Sequence, residues 1–256
     1  MLVAERHRKI VEVVNEKLSV RVTELSKLFK VTEETIRRDL EKLEKENLLR
    51  RSHGGAVSIQ DEQSEVSYTE REITNAAEKK AIALEAVKLI QPGDQIVLDA
   101  STSAWYMAKE MPDLPLTVIT NSIKVAVELS KKEQVKVIST GGMLLSRSLS
   151  YAGPLAERSL NMYHVNKAFI SCKGVHLEGG ISDSNEWQAL LKRQMMSIAD
   201  QTILLADSTK FGVRTFAHIT NIGQVSSILT DSKIDDSYSK ALEEKGVQVN
   251  TVKVAE

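Results

Sequence analysis

The chain has 256 residues, 34 Lys and Arg against 35 Asp and Glu, a single cysteine and a mean hydropathy of −0.20. That length suits one large domain or a small and a medium one, and 42% apolar residues is the composition of a folded soluble protein rather than a disordered one. The lone Cys172 excludes an internal disulfide and a multi-cysteine zinc site. No uncharged apolar run reaches the roughly 18 residues of a membrane span, and the start MLVAERHRKIVEVV lacks the apolar core of a signal peptide, so a cytoplasmic location is expected.

The charge is unevenly placed. Residues 1–58 hold 13 Lys and Arg against 10 Asp and Glu, and the remainder 21 against 25. The sign suits a small anion-binding head on a neutral-to-acidic body. Within the head, Ile10, Val13, Val14 and Leu18 mark one amphipathic helix. VTELSKLF then sets Val22, Leu25, Leu28 and Phe29 at helical spacing, with Thr23 as its N-cap. After the break KVT, Thr32 followed by Glu33 and Glu34 opens a third helix, whose buried stripe is Ile36, Leu40, Leu43 and Leu48. LLRRSHGGAVSI reads as strand, turn and strand with Gly54–Gly55 at the tip.

Residues 59–74 (IQDEQSEVSYTEREIT) are polar without a firm period and read as a linker. From Asn75 the pattern alternates. AAEKKAIALEAVKLI is helical and stops at Pro92–Gly93. QIVLDA, LTVIT, VKVIST, KAFIS, TILLAD and VSSILTD are short apolar strands, each followed by a polar or Gly-rich loop and usually a helix. The expected class is therefore α/β: a small winged helix-turn-helix over 1–58 (helix-turn-helix about 20–39), a linker over 59–74, and a larger Rossmann-like, mostly parallel α/β domain over 75–256.

In a winged helix-turn-helix the second helix of the pair enters the major groove N-terminal end first. Thr32, Glu34, Thr35, Arg37 and Arg38 lie on its leading turns, where an arginine fork can grip a guanine edge or a phosphate. Arg50, Arg51, His53 and Gly54 at the hairpin would meet the flanking backbone. Any exposed amphipathic helix also carries Arg and Glu, and a solvated face accounts for the same residues.

Three strand-end loops of the second domain are candidate phosphate holders. In LDASTSAWY a strand ends at Asp99, and Ser101, Thr102 and Ser103 open a helix whose first amides and hydroxyls can take an anion. Thr120, Asn121 and Ser122 of VITNS stand in the same position. Asp207, Ser208 and Lys210 of LLADSTKFG add a point charge. Each loop alone is equally an N-cap and a turn; together they suggest a crevice at the carboxyl ends of the strands. Cys172, Lys173, Glu186, Trp105 and Trp187 are further candidates for its lining, with core filling as the alternative for both tryptophans.

The spacing Arg6-x3-Ile10-x3-Val14, then 17 residues, then Thr32-x2-Thr35-Ile36-Arg37-Arg38-Asp39-Leu40 resembles the helix-turn-helix signature of the DeoR family of bacterial regulators, and Arg50-Arg51-Ser52-His53-Gly54-Gly55-Ala56 resembles its wing. Asp39 fits a structural role, bonding a neighbouring arginine or backbone. Residues 75 to 235 resemble the family's sugar-phosphate-sensing domain, which is similar to ribose-5-phosphate isomerase. Ala100-Ser101-Thr102 corresponds to the isomerase's Gly-rich phosphate loop, and TNS, Gly141–Gly142 and DSTK follow in order. The isomerase's acids fall on Ile170, Lys173 and Gly174, and its glutamate base on Lys192 or Arg193. Cations there cannot abstract a carbon-bound proton, so no catalytic residue, metal or cofactor is expected. Most regulators of this type carry Asp where this chain has Lys173.

The resemblance implies a homodimeric or homotetrameric transcription regulator of a sugar-catabolism operon, a repressor released from operator DNA by a phosphorylated sugar at Asp99, Ser101–Ser103, Thr120–Ser122, Gly141, Lys173, Glu186 and Lys210. A tryptophan wall would suit a 6-deoxyketose phosphate such as rhamnulose 1-phosphate. Two rival readings stay open: an isomerase-like enzyme with an accessory DNA-binding domain, and an activator responding to another metabolite.

Overall fold

The computed structural model describes residues 3–17, 19–46, 48–52, 54–57 and 66–254. The chain divides after residue 65 into two compact units. His53, Leu18, the side chain of Arg50, residue 58 and the stretch 59–65 of the expected linker lie outside the described residues.

In the first unit, helix α1 (Val3–Lys17) is followed by strand β1 (Ser19–Arg21), helices α2 (Val22–Phe29) and α3 (Glu33–Lys45), and strands β2 (Arg50–Ser52) and β3 (Gly55–Val57). The three strands form an antiparallel sheet in the order β1-β3-β2. Thr23 is not a cap, contrary to the sequence reading. Ser19–Arg21 is a strand that runs directly into α2, so Arg21 holds the cap position and the helix starts at Val22. The core comprises Ile10, Val14, Val20, Val22, Leu25, Ile36, Leu40, Leu43, Leu49 and Ala56. Leu49 replaces the expected Leu48, which is exposed: the Leu48 amide bonds back to the Leu43 carbonyl, and this turn aims the next residue inward. Leu28 also lies off the buried stripe. Between α2 and α3, Lys30 takes the left-handed conformation (φ 54°) and donates its amide to the Ser26 carbonyl, ending α2. Gly55 is required by close approach, because a Cβ there would lie 2.2 Å from the Val20 carbonyl oxygen.

Asp39 binds α3 to α1. Its carboxylate accepts from Arg6 Nε at 2.6 Å and Nη2 at 3.1 Å and lies 2.9 Å from His7 Nε2. Burial opposes its ionisation most, but the Arg6 and His7 bonds outweigh it, and Asp39 titrates below the usual carboxylate range.

The second unit begins earlier than the sequence suggests. Ser67 caps a short helix, α4 (Tyr68–Ile73), and Tyr68 is fully buried, so 68–73 is part of this unit and not linker. Next come α5 (Ala76–Val87), β4 (Gln95–Leu98), α6 (Thr102–Glu110), β5 (Leu116–Thr120), α7 (Ile123–Leu129), β6 (Val135–Ser139), a hairpin of β7 (Met143–Leu145) and β8 (Ser150–Ala152), and α8 (Pro154–Leu160). The chain continues through β9 (Val165–Ser171), β10 (Gly174–His176), β11 (Gly180–Asp183), α9 (Glu186–Ser197), β12 (Ala199–Leu205), β13 (Ala217–Thr220), β14 (Ser227–Asp231), α10 (Asp236–Glu244) and β15 (Gln248–Val252).

Seven of these strands form one wholly parallel sheet in the order β15-β14-β12-β9-β4-β5-β6. Six are the strands expected from the sequence; β15 was not expected. Side chains alternate between the two faces. Ile96, Leu98, Phe169, Ile203 and Leu205 pack with Ile82, Ala86, Met107 and Val125 of α5, α6 and α7. Val97, Ala168, Ile170 and Leu204 pack with Leu160, Leu191, Met195 and Leu242 of α8, α9 and α10. Each large side chain fully removed from water contributes about 1.5–3 kcal/mol. Strand order reverses between β4 and β9, and at such a switch point the loops leaving the carboxyl ends open a crevice. Asp99 and Ser171 stand at these two ends.

Candidate functional site

The leading turn of α3 presents the residues singled out for DNA contact. Thr32 is the N-cap, accepting the Thr35 amide at 3.2 Å, and the two hydroxyls are 2.9 Å apart. Ile36 and Leu40 face the core, while Arg37 and Arg38 are exposed. Arg37 Nη2 lies 2.8 Å from Glu33 and Arg38 Nε 3.4 Å from Glu34, pairs formed along one helix face. Exposed pairs of this kind contribute only about 0.3–0.5 kcal/mol, so they orient the guanidinium groups without holding them against a stronger acceptor. Arg51 is exposed and donates its amide to Glu44 Oε1 at 2.7 Å; Gly54 is exposed with φ 88°.

In the second unit Asp99 organises the switch point. Oδ1 accepts the Ser101 amide (3.1 Å) and Oδ2 the Ser171 amide (2.9 Å), joining the two diverging loops. Ser101 in turn caps α6 through the Ala104 amide. Lys192, on α9, lies buried between Asp183 (2.6 Å) and Asp99 (3.4 Å). Burial works against its charge most, but Asp183 and Asp99 prevail and hold the ammonium above the ordinary lysine range. A lysine held charged has no lone pair to act as a base.

Cations converge on the neighbouring loop. Lys210 Nζ donates to the Cys172 carbonyl at 2.6 Å and stands 3.9 Å from Asp207. Burial, then the positive charge of Lys210, pushes the Lys79 ammonium down to about 8; Arg71 and Lys173 add to that effect and Asp207 opposes it. Lys79 thus senses three other cations and one carboxylate, a local excess of positive charge suited to a small anion. Burial pushes the Cys172 thiol up to about 12, against the pull of Lys210 and Lys192, so it is no nucleophile at neutral pH.

Thr120, Asn121 and Ser122 are fully buried. Thr120 Oγ1 accepts the Ser122 amide, Ser122 Oγ caps α7, and Asn121 Nδ2 donates to the Tyr151 carbonyl, leaving Asn121 Oδ1 without a partner. Gly141 (φ 61°) follows Thr140, whose amide donates to the Thr120 carbonyl. Lys173 is half-buried; Glu186 is exposed on the first turn of α9. Trp105 is half-buried with Lys109 over its ring, and Trp187 is 40% exposed, outside the core.

The sequence reading missed Lys79, Arg71 and Asp183. Lys79 had a signal: it precedes Ile82 and Ala83 by three and four residues and so lies on the buried face of its helix. Asp183 stands between two serines after a Gly-Gly pair and gave no comparable sign.

Two family models match the chain: a DeoR-like helix-turn-helix domain over residues 6–62 and the DeoR C terminal sensor domain over 74–232. The chain belongs to the DeoR family of DNA-binding transcription regulators. It is 65% identical over 252 residues to the uncharacterized HTH-type transcriptional regulator YulB of Bacillus subtilis (strain 168), covering 98% of each chain. It is 37% identical to the L-fucose operon activator of Haemophilus influenzae (94% of this chain, 97% of that one) and 34% identical to the HTH-type transcriptional repressor GlcR of Bacillus subtilis (96% and 95%). Among solved structures, ribose 5-phosphate isomerase A from Methanocaldococcus jannaschii is similar over 54% of this chain and 55% of its own, at 18% identity and a TM-score of 0.41.

Proposed function

We propose that the chain is a repressor of a sugar-catabolism operon whose first unit binds operator DNA and whose second unit binds a phosphorylated sugar that releases it. Thr32, Glu34, Thr35, Arg37 and Arg38 read the groove, and Arg50, Arg51, His53 and Gly54 meet the flanking backbone. The phosphate is held by Ser101–Ser103, Lys173 and Lys210, joined by Lys79. Asp99, Thr120–Ser122, Gly141 and Glu186 complete the crevice. The observation that carries the ligand reading is Lys210, which stands beside Asp207 and reaches the Cys172 carbonyl just past β9 at the sheet's switch point, with Lys79 sensing its charge and those of Arg71 and Lys173.

A non-catalytic role is supported by cations, Lys192 or Arg193, at the position the resemblance gives to the base, with Lys192 held charged. Among the described residues no helix is long and apolar enough to cross a membrane; the cytoplasmic location belongs to the reading of the chain as a regulator of operator DNA. A dimer or tetramer accounts for half-sites one or more helical turns apart.

The effector acts through its differential affinity for the two states, about 1.4 kcal/mol for each ten-fold preference. The L-fucose operon activator relatives concern a 6-deoxy sugar, which supports a 6-deoxyketose phosphate such as rhamnulose 1-phosphate. That these relatives are activators favours activation as the second reading. The test is a footprint and thermal-shift series on the chain with DNA from its own promoter region. Paired half-sites and a larger shift with rhamnulose 1-phosphate than with fructose 1-phosphate are expected. A single unpaired site rejects the oligomeric reading, and equal shifts reject the deoxy-sugar assignment.

A further inference from the structure

Lys79 sits in the first turn of α5 with its ammonium turned toward α4. Nζ donates to the carbonyls of Arg71 at 2.5 Å and Thr74 at 2.6 Å. These belong to the last turn of α4 and its C-cap, where carbonyl groups have no partner within the helix. A lysine at this end satisfies them and meets the negative end of the helix dipole. Other bonds to this turn run from the Arg71 amide to the Ser67 carbonyl, from the Thr74 amide and hydroxyl to the Glu70 carbonyl, and from the Tyr106 hydroxyl to the Glu72 carbonyl, while Lys124 stands 3.9 Å from the Glu72 carboxylate. The adjoining Asn75, in the left-handed conformation (φ 50°), donates Nδ2 to Asp207 Oδ1 and Thr209 Oγ1 at 3.0 and 3.2 Å. The end of α4 is therefore tied at two successive points to the candidate anion site.

We infer that Lys79 is a latch: an anion entering the crevice draws its ammonium off the Arg71 and Thr74 carbonyls and loosens the first helix of the second unit. This rests on the crevice reading above and adds its regulation. An ammonium has three donors and no acceptor, and two of the three are engaged by neutral carbonyls. Bonds to a charged oxygen are shorter and roughly twice as strong, so a phosphate competes successfully for the same donors. It also relieves the repulsion between Lys79 and Lys210. The two carbonyls lose these charge-assisted bonds, and α4 has only six residues over which to absorb the loss. Since α4 directly follows the first unit in the chain, its loosening is a change that ligand occupancy makes near the start of the second unit.

The experiment is hydrogen exchange on the intact chain with inorganic phosphate as the probe and chloride at matched ionic strength as the control. Phosphate should protect the peptides spanning 99–104 and 207–210 and speed exchange in 67–75 by about ten-fold. Protection of both loops with 67–75 unchanged or slowed would overturn the latch and leave the crevice reading in place. No protection anywhere would overturn both. Lys79→Met, which keeps the stem and removes the donors, should exchange rapidly over 67–75 without phosphate and ignore its addition. Slow, phosphate-sensitive exchange in that variant would also refute the latch. Should the variant fail to fold, the wild-type comparison decides alone.

Discussion

Replacing Asp39 with Asn removes the charge that ties α3 to α1 while preserving shape. Both side chains of the ion pair are largely buried, Arg6 at 10% and Asp39 at 8% exposed. Removing one member of a buried pair costs about 3–5 kcal/mol. Asn retains one acceptor for the guanidinium, so a loss of about 2–3 kcal/mol is expected, a large part of a typical domain's 5–15 kcal/mol. Tryptophan fluorescence cannot follow this loss, because Trp105 and Trp187 both lie in the second unit. Native-state hydrogen exchange in α1 and α3 can, and should accelerate by roughly 30- to 150-fold at pH 7. The sign with pH follows from the lowered pKa. The stabilisation is fully present above the unfolded value near 4 and is lost as pH falls through the lower folded value, so the variant and the wild type converge in acid. Equal exchange at pH 7, or a gap that persists at the lowest pH where the chain stays folded, would refute this account of the tie.

Arg37→Ala or Arg38→Ala should weaken specific DNA binding about ten-fold or more while leaving the melting temperature within a degree or so, because their intrahelical pairs contribute little; fluorescence anisotropy and calorimetry check the two halves, and unchanged affinity moves the contact elsewhere. Gly55→Ala should destabilise the first unit, since its Cβ meets backbone rather than a movable side chain; unaltered exchange in β1 and β3 would show that the sheet yields. Phosphate binding at pH 8 to 9 should take up a fraction of a proton, because an anion raises the depressed Lys79 pKa, and affinity should fall as pH rises beyond about 8. Titration calorimetry in two buffers of different ionisation enthalpy reads this uptake, and identical heats after buffer correction in wild type and Lys79→Met would dismiss Lys79 as its source.

How far the sequence can be read here depends on the range of the interactions. QIVLDA and TILLAD announce themselves because a strand covered on both faces is apolar throughout. QVNTV of β15 does not, since it lies at the sheet's edge and mixes half-buried and exposed residues with none fully buried. YTEREI hid α4 because one buried tyrosine decides its place while Ile73 is left exposed. The small antiparallel pairings of β10, β11 and β13 join segments too short to show a period. In the crevice, the strand-end loops were visible through local chemistry, Ser and Thr after an apolar run. The pairings of charge that set its electrostatics were not: Lys192 meets Asp99 and Asp183 across 93 and 9 residues, and Lys210 acts on Lys79 across 131. No local pattern reports such meetings. Asp39 was legible because its partner Arg6 belongs to the same spaced signature.

The central claim is that a phosphate held by Lys210 and its neighbouring cations governs the grip of α3 on DNA. The most direct measurement titrates a sugar phosphate ester, and separately its free sugar, into the chain bound to DNA from its own promoter region, for wild type and Lys210→Ala side by side. The account predicts equal DNA affinity for both proteins without ligand, release of the wild type by the ester alone, and a release midpoint at least about ten-fold higher for Lys210→Ala. Release by the free sugar at the same concentration, or an unshifted midpoint in Lys210→Ala, would contradict it.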